Sequence, residues 1–277
     1  GVIFAKEAQE YTEGDRVAIP RRQRVNGSLQ SLTTTEGKHY NNSKEYTHPS
    51  ILTPRLARLL GYLTGDGYLA ENQSSAWISF TNKNPDVLDD YQKTFTALFD
   101  QPLTTRTEDN HTEAYVTSQG LYNYLQDNFP ELTQPSTAKT VPTNIQRSKD
   151  DVVKAYLKAY FDTDGYVNED KRHVSATTTS EELADHISHL LQRFGIVPRR
   201  KTKEKHATNT EEQRSVTAHQ LIIPPCFTKQ FEQRIGFTHT EKQRALERIT
   251  QKPRNTNVDT VPGVENLLKH IRFNQER

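Results

Sequence analysis

Two apolar runs with helical spacing set the pattern of this chain. Leu59-Leu60-Gly61-Tyr62-Leu63-Thr64-Gly65-Asp66-Gly67 ends in an acid and a glycine. Leu157-Lys158-Ala159-Tyr160-Phe161-Asp162-Thr163-Asp164-Gly165 repeats that ending about a hundred residues downstream. Small residues recur at four-residue spacing in each segment: Gly61 and Gly65 in the first, Ala155, Ala159 and Thr163 in the second. Residues at i and i+4 share a helix face, and small ones let another backbone approach closely, so the two faces predict a helix pair. Bulk at Gly61 or Gly65 should then be poorly tolerated, and Thr64 should tolerate it better if its side chain points away from the partner. The surroundings repeat too. Thr53-Pro54 supplies an N-cap and a first-turn proline, and Ser148-Lys149-Asp150-Asp151 resembles a capping box with Asp in place of Glu. In the first half, alternation at 68–70 and 76–80 predicts a hairpin, and Val87, Leu88, Tyr91, Phe95 and Leu98 mark one side of a helix over 85–99. Strands near 103–107 and 114–117 and a helix near 121–128 complete an αββαββα order. The second half follows with strands at 165–168 and 173–177, a helix over 181–194, strands at 197–203 and 215–223, and helices near 228–235 and 240–249. Thr81-Asn82-Lys83-Asn84 and Thr177-Thr178-Thr179-Ser180 occupy the same slot, ending a strand and capping a helix. Ahead of these halves, 1–5 and 14–21 read as a strand pair, and the Asn-, Ser-, Thr- and Gly-rich stretch 22–50 reads as a loop or linker.

Overall charge is balanced, at 36 Lys and Arg against 35 Asp and Glu, but its distribution is not. Between 84 and 131 there are two basic and nine acidic residues; between 199 and 254, thirteen basic and six acidic. Such separation suits one face for a polyanion and another for solvent. The single Cys226 excludes an intramolecular disulfide and a four-cysteine zinc site, and the ten histidines lack the paired spacing of a zinc ligand set. With no long apolar run and no signal peptide, we expect a soluble, cytoplasmic protein without membrane contact. The absence of methionine and the start at Gly1 suggest an excised or processed piece.

Chemistry concentrates on Asp66 and Asp164. Gly67 and Gly165 suit left-handed helix stops. The acids just before them would meet at two helix C-termini, where the dipole is already negative. Two carboxylates crowded there ask for a cation, and oxygen ligands suit a hard divalent metal. Asp162 has Thr64 at its counterpart position, which points to a solvated or capping role. Trp77, on an alternating strand, reads as a core or strand-face aromatic.

Both runs resemble the LAGLIDADG motif of homing endonucleases, present twice as in the single-chain, pseudo-symmetric members. The resemblance implies an α+β fold of two pseudo-twofold αββαββα half-domains whose sheets form a saddle over duplex DNA. The half-domains would span 51–147 and 148–252. It implies site-specific, Mg²⁺-dependent double-strand cleavage, with Mn²⁺ able to substitute, by a monomer on a long asymmetric DNA site. Asp66 and Asp164 would bind metal together with their neighbours Gly65 and Thr163. Lys139, in Lys139-Thr140-Val141-Pro142, is similar to a family block whose lysine lies beside the active site, and Lys242 is its best counterpart in the second half. One strand face would meet DNA through Arg106, Arg172, Arg199, Lys201 and Lys203, with Gln73, Asn82 and His173 as polar readers. Residues 1–50, as a partial flank and linker, and the tail 253–277 are weakly similar to the flanks of an intein's splicing domain. The splicing hallmarks themselves are absent, since the chain starts at Gly1 and ends Phe273-Asn274-Gln275-Glu276-Arg277. An RNA maturase and a catalytically inactive DNA-binding remnant are the alternatives.

Overall fold

Each half of the chain folds as helix, hairpin, helix, hairpin, helix, and the second half adds one further helix. The computed structural model describes residues 10, 22–34, 46–72, 75–108, 110–206 and 215–251. The first half comprises α1 (Pro54–Asp66), β1 (Gly67–Glu71), β2 (Ala76–Asn82), α2 (Pro85–Phe99), β3 (Thr104–Glu108), β4 (His111–Thr117) and α3 (Gln119–Asn128). A 3-10 turn (Pro130–Thr133) and the short α4 (Thr143–Gln146) lead out of it. The second half comprises α5 (Asp150–Asp164), β5 (Gly165–Asn168), β6 (His173–Thr178), α6 (Glu181–Arg193), β7 (Arg199–His206), β8 (Ser215–Ile223), α7 (Pro225–Arg234) and α8 (Thr240–Gln251). The expected strand pair within 1–21, the tail over 253–277 and the hairpin residue Gln73 lie outside the described residues.

Local chemistry starts the helices where it should. The Thr53 hydroxyl accepts from Leu56 N, and Asn84 and Ser180, closing the repeated four-residue slot, accept from Val87 N and Leu183 N. Ser148 departs from the capping-box reading. Its hydroxyl donates to Asn144 O at 2.7 Å, closing the preceding turn, and α5 starts at Lys149 with no side-chain cap. The antiparallel sheets have matching strand orders, β1-β2-β4-β3 and β5-β6-β8-β7, and matching register, Gly67 opposite Phe80 and Gly165 opposite Ala176. On one face of each sheet, Leu69, Ile78, Phe80, Ala114 and Val116, or Val167, Val174, Ala176, Leu221 and Ile223, are buried in a core shared with the helices. The other face is open.

Helices α1 and α5 join the halves along their small residues. A Cβ on Gly61 would overlap the Tyr156 carbonyl oxygen and lie 2.9 Å from Ala159 Cβ; one on Gly65 would overlap the Thr163 hydroxyl. Thr64 faces the partner too. It is 3% exposed, donates to Leu60 O, and accepts from the Tyr156 hydroxyl at 3.0 Å. It therefore does not point away as a milder position would. Gly67 and Gly165 are not left-handed stops either. Their φ values, −88° and −76°, are those of extended backbone, and each opens a strand. Glycine is required there because a Cβ would overlap the Leu63 or Phe161 carbonyl as the chain turns straight from helix into sheet. The left-handed stops occur at Gly195 (φ 72°) and Gly236 (φ 64°), after α6 and α7.

A strap over 22–34 crosses the junction between the halves. Gln23 N donates to Gln192 O, Ser28 N to Arg147 O, and Thr33 exchanges two hydrogen bonds with Asn128. Beneath it, Arg193, 3% exposed, donates to Gln146 O, Ser148 O and Asp150 Oδ1, pinning the end of α6 to the start of α5. Among the described residues no helix is long and apolar enough to cross a membrane.

Candidate active site at the paired helix ends

Because α1 and α5 pack side by side and pass directly into β1 and β5, their last residues, Asp66 and Asp164, arrive together. A Cβ on Gly65 would lie 3.2 Å from Asp164 Oδ2, so the second acid stands against the end of the first helix. The two acids are not equivalent. Asp66 is exposed at the rim of a cleft of about 470 Å³, and its Oδ2 accepts from Asn82 Nδ2 at 2.8 Å. Asp164 is half-buried. The register places Thr178 where the first half has Asn82, and the Thr178 hydroxyl accepts from Ser180 N instead. Loss of solvation at the packed helix ends raises the pKa of both carboxyls, even though Asp66 keeps an exposed edge. The two nearby lysines oppose the rise in both; in Asp66 the Asn82 bond opposes it as well, whereas in Asp164 the charge of Asp66 adds to the desolvation, and the group stands at about 7.

Lys139 and Lys242 reach this point by different routes. Lys139 follows a tight turn at 135–138, and its Nζ donates to Leu63 O, Thr64 O and Gly67 O at 3.2–3.4 Å. Lys242 lies in the first turn of α8, and its Nζ donates to Phe161 O, Asp162 O and Thr163 O at 2.6–3.4 Å. Each ammonium thus covers the C-terminal carbonyls of one motif helix, which offsets the negative end of that helix. Burial lowers both lysine pKa values, and the neighbouring acids oppose the fall. Lys242 thus contacts the carbonyls at the end of α5 as Lys139 contacts those at the end of α1, from a different backbone setting.

Asp162 is neither solvated nor idle. It is 1% exposed, and its Oδ1 accepts from Thr238 N at 2.7 Å and His239 N at 3.0 Å, so it caps the loop that delivers Lys242. His239, whose Nδ1 accepts from Lys242 N, lines the cleft with His111. Neither histidine stood out in the sequence. His239 is three residues from Lys242, the one local hint, whereas His111 reaches the cleft only through strand pairing.

The donor set fits a hard divalent ion. Two carboxylates sit at one point, and burial and mutual repulsion make their shared negative charge costly without a cation. Among the described residues no group of three or more His, Cys, Asp and Glu side chains gathers as a metal cage. Mg²⁺ needs none, since it is ordinarily held by one or two carboxylates, waters and substrate phosphates. The carbonyl oxygen of Thr163, expected beside the metal, already accepts from Lys242 and has one further lone pair to offer.

The remaining candidate residues divide between the open sheet faces. Strand register puts Arg199, Lys201 and Lys203 on the open face of the second sheet, opposite Ile222, Gln220 and Ala218, with His173 and the 59%-exposed Tyr166 beside them. Arg172 occupies the β5–β6 turn at φ 52°. Arg106 lies on the open face of the first sheet, but Glu108 and Glu113 hold it in ion pairs at 3.2 and 3.4 Å. Trp77 stacks on Tyr115 there, with ring centroids 4.2 Å apart, as a strand-face aromatic. Asn82 is not in this group: it alternates with Ile78 and Phe80 on the covered side of β2, and its amide serves Asp66.

Comparison with known proteins agrees with this geometry. The family model for the LAGLIDADG-like domain matches residues 53–126 and 151–236, one segment in each half. A crystal structure of I-DmoI in complex with DNA and Ca superposes with a TM-score of 0.51 at 16% identity, covering 70% of this chain and 97% of that one. Among curated proteins, the glutamine–fructose-6-phosphate aminotransferase of Methanocaldococcus jannaschii is 27% identical over 235 residues, 83% of this chain and 20% of the relative. The replication factor C small subunit of the same organism is 28% identical over 274 residues, 98% of this chain and 13% of the relative. The chain spans a fifth or less of the length of either relative.

Proposed function

Since the chain belongs to the LAGLIDADG-like domain family, we propose that it is a site-specific double-strand DNA endonuclease of the intein-encoded type, hydrolysing phosphodiester bonds with divalent metal. One observation carries the reading: Asp66 and Asp164 converge at the paired helix ends, each flanked by a lysine already bound to the carbonyls of its own motif helix. Asp66 and Asp164, with the backbone of Gly65 and Thr163, would hold Mg²⁺, or Mn²⁺ in its place. Such an ion, when bound, offers Lewis acidity towards a phosphate oxygen and lowers the pKa of an attacking water. The protein's own groups do the rest. Lys139 and Lys242 hold positive charge beside the place where a phosphate would gain negative charge, and they need no reorganisation to do so. Asn82 keeps Asp66 turned into the cleft. The open sheet faces receive the duplex as a saddle, and Arg172, Arg199, Lys201 and Lys203 contact phosphates or base edges. With both half-domains (51–147 and 148–252) on one chain, a monomer meets a long asymmetric site.

The intein assignment is supported by where similar segments occur. An aminotransferase and a replication factor subunit share no chemistry, yet each contains a stretch similar to this chain amounting to a fifth or less of its length. An inserted element accounts for that distribution. Residues 1–50 and 253–277 would then be flanks leading from and back to the splicing domain, and the site of action is the cytoplasm of the host cell. The reading is tested by incubating the chain with plasmid carrying the uninterrupted host gene in Mg²⁺. We expect double-strand cleavage at the insertion point. Duplex binding without cleavage would instead identify a catalytically inactive remnant, and a preference for structured RNA would identify a maturase.

A further inference from the structure

We propose that the two open sheet faces hold DNA unequally: the second sheet anchors one half-site by charge, and the first reads the other with almost no electrostatic grip. The inference rests on the DNA reading above. On the open face of the second sheet, Arg199, Lys201 and Lys203 project in register along β7, and among the described residues no acid pairs with any of them. Arg200, the intervening residue, points the other way and binds Glu181 and Asp185 of α6 at 2.5 Å, so these two acids are engaged on the covered side. His173 lies beside this ladder on the same face. Its pKa is lowered by burial and then by Lys171 and Lys201, two cations close enough to oppose a third charge. Positive charge gathered on a solvent-facing strand ladder, without counter-charge, is the signature of a surface that binds a polyanion.

The corresponding face of the first sheet has a different composition. Arg106 is the one arginine or lysine on its strands, and Glu108 and Glu113 on the same face neutralise it. What remains is aromatic and polar: the stacked Trp77 and Tyr115, the 62%-exposed Tyr68, and Thr81. Such a surface offers stacking, hydroxyls and van der Waals contact, which depend on sequence and groove shape far more than on salt. Phosphate neutralisation supplies most sequence-independent affinity. The second half should therefore capture DNA, and the first should decide whether the captured sequence is the right one.

The test is a salt titration of duplex binding with long mixed-sequence DNA in Ca²⁺, for the wild-type chain, for Arg199→Gln/Lys201→Gln/Lys203→Gln, for Lys201→Gln alone and for Arg106→Gln. Thermal melts establish that each variant folds. Each phosphate contact adds about 0.9 to the slope of log affinity against log salt, so the triple variant should lose up to about 2.7 from that slope. Lys201→Gln alone should lose up to about 0.9, and Arg106→Gln should leave the slope unchanged. Salt-dependent binding whose slope falls as much with Arg106→Gln as with Lys201→Gln would overturn unequal anchoring while leaving the DNA reading intact. Failure of the wild-type chain to retain duplex DNA, or a preference for structured RNA, would overturn the DNA reading and the anchor with it.

Discussion

At the scale of single residues, the unequal acids are the main result. Asp66→Asn and Asp164→Asn preserve size and much of the hydrogen bonding but remove the charge that would hold metal. Each should abolish double-strand cleavage in Mg²⁺ and still shift duplex DNA in Ca²⁺; full cutting by either variant would exclude the proposed mechanism. The same acids govern stability. Asp164 is raised to about 7 in the folded chain, whereas an unfolded carboxyl titrates at about 4. The folded state therefore keeps a proton that the unfolded state has lost, so the contribution of this group is most favourable below about 4 and declines as pH climbs towards about 7. Melting temperature in metal-free buffer should fall over that window, and most of its fall should vanish in Asp164→Asn. Both acids were legible from position alone, at the end of a repeated apolar run. Of the two roles the sequence left open for Asp162, capping holds and solvation does not; what it caps was not legible, because the amides of Thr238 and His239 lie in a loop more than seventy residues downstream that only tertiary folding brings near.

At the scale of elements, the joint between α1 and α5 makes the sharpest stability predictions. The Tyr156 carbonyl oxygen and Thr163, which face Gly61 and Gly65, cannot move aside cheaply, so even Gly→Ala should cost about 1–3 kcal/mol at either position. Gly120 in α3 has nothing within 4 Å of its would-be Cβ, and Gly120→Ala should stabilise by about 0.5–1 kcal/mol. Urea unfolding of the three variants distinguishes a tight interface from a general dislike of change in glycine. Most elements follow from periodicity: the helix over 85–99 and the strand over 215–223 have the bounds their patterns predict. Periodicity says less about backbone crossings. Gly67 and Gly165 look like helix stops in sequence, but they are glycine because a strand leaves the helix against its last carbonyls. The short α4 is too brief for any period to show.

At the scale of the whole molecule, the halves are tied through the helix joint, beneath the strap, and where Arg58 donates to the Thr238 hydroxyl and Thr240 N to Asp86 Oδ2. Arg193→Met should cost about 2–3 kcal/mol or more, because its buried guanidinium satisfies two backbone carbonyls and the Asp150 carboxylate at the junction. Chemical unfolding measures the loss, and a change below about 1 kcal/mol would mean that the junction is held elsewhere. The helix joint has one more consequence. Backbone packed on backbone leaves no room for a hinge, so the separation and relative twist of the two sheet faces are fixed, and the molecule acts as a ruler. A target lengthened by one base pair between its half-sites moves one of them by about 3.4 Å and turns it by roughly 34–36° about the duplex axis. The ruler cannot follow, so such DNA should be held by one face and left uncut, however well each half-site matches.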